Sequence, residues 1–148
     1  MVNGQLDGEQ LLAWRRQQLA LGGSPGHLDW LLDLAGGLPW RVQQQLRLQP
    51  QLPVQLACDL IQLEAMWRCH LDTAEPLQYL VGRCPWRDLE ISVAPGVLIP
   101  RQETELLVEL ALELAPSGPG CWADLGTGSG CMALALALAW PSSRGWAV

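Results

Sequence analysis

Asp124-Leu125-Gly126-Thr127-Gly128-Ser129-Gly130 is the stretch whose residue types and spacing point to chemistry. Glycines at alternate positions let a backbone approach a ligand closely and take φ values closed to other residues. A helix beginning just beyond them offers free N–H groups and the positive end of its dipole, so an anionic ligand group fits there. The dinucleotide fingerprint would need a third glycine at position 131, where this chain has Cys131. A glycine-rich turn without a ligand is the competing reading. Upstream, Val97-Leu-Ile-Pro-Arg-Gln-Glu-Thr-Glu105 places Glu103 and Glu105 in the first turn of a helix, where its dipole favours them.

These residues need elements to hold them. The run Cys121-Trp122-Ala123 before the glycines reads as a strand, and residues 131–139 after them read as a buried helix. Leu106, Leu107, Leu110, Ala111 and Leu114 give the preceding helix an apolar side, with Glu105, Glu109 and Glu113 as a solvated stripe. Trp146-Ala147-Val148 opens a second strand.

The first half is helical by its periodicity. Asp7 and Gln10 resemble a reciprocal cap for a helix ending at Gly22-Gly23. Ser24-Pro25 starts a second helix, with Leu28, Leu31, Leu32 and Ala35 at i, i+3, i+4, i+7. A third covers residues 39–48, and the longest follows Pro53 with Leu56, Leu60, Leu63, Trp67 and Leu71 on one stripe. At such spacing Trp14, Trp30, Trp40 and Trp67 fill or cover a core rather than stack on a ligand. Arg15-Arg16 is expected on a solvated face, and His70 beside the dipole of a helix end. Pro76 ends this half, because the residue before a proline leaves the α region. Beyond it, alternation through Trp86–Val93 reads as a short hairpin. The expected domains are therefore residues 1–75, a linker 76–99, and residues 100–148.

Composition excludes several classes. Net charge is −6 and all nine cations are Arg without a basic run, which disfavours nucleic acid as a direct partner. The five cysteines form no CxxC pair, and His27 and His70 lie far apart in sequence, so a reduced, metal-free, cytoplasmic protein with buried cysteines is expected. The longest apolar run, 131–140, is too short to span a bilayer.

Asp124 followed by Gly-x-Gly-x-Gly resembles motif I of class I S-adenosylmethionine-dependent methyltransferases. Together with Pro76-Leu-Gln-Tyr-Leu-Val-Gly82 and Val97-Leu-Ile-Pro-Arg-Gln-Glu-Thr-Glu105, in that order, the chain resembles HemK-type protein-(glutamine-N5) methyltransferases that modify peptide chain release factors. The resemblance implies an α/β fold: an N-terminal helical bundle that docks substrate, a β-hairpin linker, and the start of a Rossmann-like methyltransferase domain. It implies S-adenosyl-L-methionine as cofactor, lined by Asp124, Gly126, Thr127, Gly128, Ser129 and Gly130, with Asp124 facing the ammonium group. Pro100, Arg101, Glu103 and Thr104 would shape the adjacent wall. A release factor is the implied partner, and a monomer is expected when complete.

Gln102 and Trp86 stand where the family usually has Pro and Phe. The family's second-strand acid and its Asn-Pro-Pro-Tyr motif, which holds the substrate amide, do not occur in residues 1–148. The chain therefore reads as truncated, without catalytic residues of its own, and poorly packed beyond about Pro116. Alternatives are a non-catalytic release-factor-binding fragment, a ribosomal-protein glutamine methyltransferase, against which Glu103-Thr104-Glu105 speaks, and a nicotinamide-binding oxidoreductase, which Cys131 disfavours.

Overall fold

A computed structural model describes residues 6–148, which divide into two compact units, residues 6–81 and Gly82–Val148.

Five helices make up the first unit among the described residues: α1 (Gly8–Leu21), α2 (Pro25–Leu34), α3 (Trp40–Leu48), α4 (Leu60–Thr73) and the short α5 (Leu77–Val81). The Asp7 carboxylate accepts from the Gln10 amide while the Gln10 side chain accepts from the Asp7 amide, the reciprocal cap expected for α1. Asp59 and Gln62 repeat the device on α4, so that helix starts at Leu60 and Leu56 lies ahead of it, not on its stripe. Leu28, Leu31 and Leu32 are fully buried on one face of α2, each worth roughly 1.5–3 kcal/mol of burial. They pack in one cluster with Leu11, Leu63 and Trp67.

Polar groups tie the helices laterally. Asp29 receives Arg15 at 2.6 Å and Arg47 at 2.8 Å, joining α1, α2 and α3. Arg15 is therefore a half-buried partner and not a free surface charge. The buried Gln43 amide donates to the carbonyls of Asp29 and Leu38, and the Trp67 indole donates to the Gln18 carbonyl at 3.2 Å. Trp14 and Trp67 are core. Trp40 is 58% exposed, with the Arg47 guanidinium lying over its ring.

The second unit begins with an antiparallel hairpin, β1 (Arg83–Trp86) and β2 (Leu89–Ser92), pairing Cys84 with Ile91 and Trp86 with Leu89. The hairpin strands start after Gly82; residues 77–81 are helix α5. A 3-10 turn (Gln102–Thr104) leads into α6 (Glu105–Leu114), followed by β3 (Cys121–Asp124), α7 (Cys131–Ala139) and β4 (Arg144–Ala147). β3 and β4 are parallel, Cys121 opposite Arg144 and Asp124 opposite Ala147. Gly145 is required there, because a Cβ would run into the Trp122 ring.

The helices of this unit bury less than their composition suggests. Val108 is the buried side chain of α6, whereas Leu106, Leu107, Leu110 and Leu114, expected on the apolar side, are exposed. On α7, Cys131, Ala133 and Leu136 are buried while Leu134 and Leu138 face outward. Glu109 of the expected solvated stripe pairs with Arg87 from the hairpin turn. The cysteines also divide: Cys84 and Cys131 are buried, but Cys121 is exposed. Burial, helped by neighbouring Asp59, pushes the Cys58 thiol up; burial, helped by Cys131, does the same to Cys84. Among the described residues no helix is long and apolar enough to cross a membrane.

Candidate functional site

The glycine turn sits where β3 gives way to α7. Gly126, Gly128 and Gly130 have φ of 75°, 55° and 77°, the left-handed region that a side chain disfavours. A Cβ at Gly126 or Gly130 would meet nothing within 4 Å, so the cradle is open to a ligand on its outer side. Asp124 is only 3% exposed, and its Oδ2 accepts from the Thr127 hydroxyl at 2.8 Å. The turn thus closes over the end of the strand and fixes the orientation of the carboxylate.

Not every amide of the turn is free. Those of Gly126 and Thr127 both donate to the Val148 carbonyl, at 2.6 and 2.9 Å, and Gly130 donates to Thr127 at 2.9 Å. The first bond into α7 is Leu134 N–H to the Gly130 carbonyl. The amides of residues 131–133 therefore have no helical acceptor and carry the positive end of the dipole. The donor set that can meet a ligand lies on the α7 side of the turn.

The segment Pro100, Arg101, Glu103 and Thr104 is shaped by the hairpin. Trp86, 2% exposed, donates its indole N–H to the Arg101 carbonyl at 2.8 Å, the same carbonyl that takes the Thr104 amide at 3.2 Å. The indole at this position supplies a hydrogen bond that a phenyl ring could not. Glu103 and Arg101 are exposed, and Pro100 and Thr104 are half-buried. What links this segment to the glycine turn is the packing of α6 on α7.

In the helical unit, the sequence separation of the two histidines is misleading. His27 Nδ1 and His70 Nε2 stand 3.2 Å apart, and their rings meet edge to face. They border a pocket of about 410 Å³ that Trp30, Pro76, Leu77 and Gln78 also line. Nothing in the local spacing signals this pair, since it forms only when α4 crosses α2. Among the described residues, no group of three or more His, Cys, Asp or Glu side chains is poised around a metal.

A helical unit followed by a hairpin and then a strand, glycine turn, helix and parallel strand defines a mixed α/β protein. No family model matches the chain. It is 49% identical over 142 residues to a release factor glutamine methyltransferase of Prochlorococcus marinus, covering 94% of this chain and 48% of that protein. Proteins of the same description from Gloeobacter violaceus and Synechocystis sp. are 41% and 36% identical, over 91% and 97% of the chain. The chain belongs to the release factor glutamine methyltransferase family, matching the N-terminal half. It spans about half the length of the curated relatives it matches.

Proposed function

We propose that this chain carries the cofactor-binding part of an S-adenosylmethionine-dependent methyltransferase that modifies the side-chain amide nitrogen of a glutamine in peptide chain release factors. The observation that carries this reading is the buried Asp124 held by Thr127 beneath three positive-φ glycines at the start of α7. The relatives' names support the substrate class. On this reading the parallel β3–α7–β4 unit is the beginning of a Rossmann-like sheet, residues 1–75 dock the substrate protein, and residues 76–99 link the two.

The open cradle fits the cofactor, which supplies an electrophilic methyl group when bound. The chain's own residues bind and orient: Gly126, Gly128 and Gly130 admit close approach, Asp124 offers negative charge to an ammonium group, and Thr127 and Ser129 flank it. Pro100, Arg101, Glu103 and Thr104 form the neighbouring wall. An amide nitrogen is a poor nucleophile, so alignment and removal of water carry the reaction, worth up to roughly 7–11 kcal/mol in well-oriented cases. The Asn-Pro-Pro-Tyr motif that would hold the amide does not occur in residues 1–148, and we place that step outside this stretch.

Calorimetric titration with S-adenosylmethionine tests the reading. Residues 1–148 are expected to bind it and Gly128→Val to lose binding. Methyl transfer to a release factor is expected only from a protein that also carries the Asn-Pro-Pro-Tyr motif. Failure of the wild-type chain to bind, with the second unit folded, would remove the cofactor assignment.

A further inference from the structure

We propose that His27 and His70 form a binding site for a borderline divalent transition-metal ion, of the zinc, nickel or copper kind, that clasps the start of α2 to the end of α4. The inference is independent of the methyltransferase reading. It rests on the position of two ring nitrogens and on what holds each ring.

His70 is the organised partner. Its Nδ1 lies 2.7 Å from the Glu75 carbonyl, which can only accept, so Nδ1 bears the hydrogen and Nε2 presents its lone pair. An imidazole anchored through one nitrogen by a backbone carbonyl, with the other free, has the outer-shell arrangement of metal-bound histidines. The ring of the fully buried Trp67 stands 5.5 Å from that of His70 and packs beside it. His70 also occupies the last turn of α4, where the helix dipole favours positive charge.

His27 supplies the second nitrogen. Two imidazoles on one tetrahedral ion at about 2.0–2.1 Å hold their nitrogens about 3.3 Å apart; here the separation is 3.2 Å. Without an ion, the two rings share one hydrogen, His27 Nδ1–H donating to His70 Nε2. With His27 in its other neutral tautomer, its hydrogen on Nε2, both facing nitrogens present lone pairs, and a tetrahedral ion sits to one side of the line between them. His27 is exposed, so its ring has room to turn and aim Nδ1 at the ion.

The chain provides two ligands, and the open pocket beside them leaves room for water at the remaining positions. Such a site is open, unlike the closed four-ligand sites that fold zinc domains, and imidazole donors suit zinc, nickel and copper and not magnesium or calcium. Because the ligands come from different helices and meet only in the folded unit, binding stabilises the fold by mass action.

The test is a titration of the full 148-residue chain with Zn²⁺ alone, by calorimetry in a non-chelating buffer with a phosphine reductant, alongside thermal melts. One ion per chain is expected, with a rise in melting temperature. His70→Ala should weaken binding at least tenfold. His27→Gln keeps an N–H that can donate to His70 but loses the ring nitrogen, so it separates loss of the ligand from loss of the contact; it too should weaken binding at least tenfold with an unchanged helical spectrum. Wild-type affinity in His27→Gln would assign the ion to other groups, such as the exposed cysteine, and overturn the proposal. Absence of saturable binding in the wild-type chain would overturn it equally.

Discussion

The Thr127 hydroxyl donates to Asp124 Oδ2 at 2.8 Å, across a turn in which every glycine has left-handed φ. The bond makes a buried carboxylate part of the turn's geometry. Hydrogen bonds to charged groups are worth about 1.5–3 kcal/mol, and a buried acceptor left without its donor costs a comparable amount. Thr127→Val is therefore expected to destabilise the second unit by about 1–3 kcal/mol and to weaken S-adenosylmethionine binding. Hydrogen exchange across residues 121–131 and a cofactor titration check the two effects; protection equal to wild type would show that the bond does not hold the turn.

Gly145 faces the Trp122 ring across the parallel pair. Gly145→Ala should force the strands apart at a cost of about 1–3 kcal/mol, the range for overpacking. Exchange should rise in residues 121–124 and 144–147 while α1–α4 keep their protection. Equal loss in both units would mean that they melt together.

Asp59 caps α4 as Asp7 caps α1. Asp59→Ala is expected to cost about 0.5–2 kcal/mol in urea unfolding followed by helical circular dichroism. Gln62→Ala should cost less, since it removes only the returning bond.

The Cys84 thiol is held above the ordinary value of 9.0, by burial first and by Cys131 second. The fold favours the neutral thiol, so this contribution is whole below pH 9.0 and is lost as pH rises through the folded-state value. The stability difference between wild type and Cys84→Ala should hold steady to about pH 8 and shift against the wild type by about pH 10. Thermal melts across that range decide it; a pH-independent difference would show that Cys84 is not desolvated.

Local signals were legible in the sequence. The Asp7–Gln10 cap, the Leu28, Leu31, Leu32 face and the strand–glycine–helix passage all lie within a few residues of one another, and the structure has each of them. The start of α4 was obscured because Leu56 extends the apolar period past the Asp59 cap. Misplacement of the α6 leucines has a related cause: the helix is apolar on most sides, so composition did not say which side would be covered, and Val108 is the one buried. Long-range relations left no trace. The use of the Gly126 and Thr127 amides by Val148, the Trp86 bond to Arg101, and the His27–His70 pair depend on residues 15 to 43 positions apart meeting in the fold.

The helical unit closes its core from residues up to Val81 alone. During synthesis this segment leaves the ribosome before either strand of the parallel sheet does. A chain elongating at about 5–20 residues per second gives it several seconds, whereas small helical domains fold in microseconds to milliseconds. The bundle is thus finished in time for its Leu and Trp side chains to be sequestered before the leucine-rich α6 and α7 emerge.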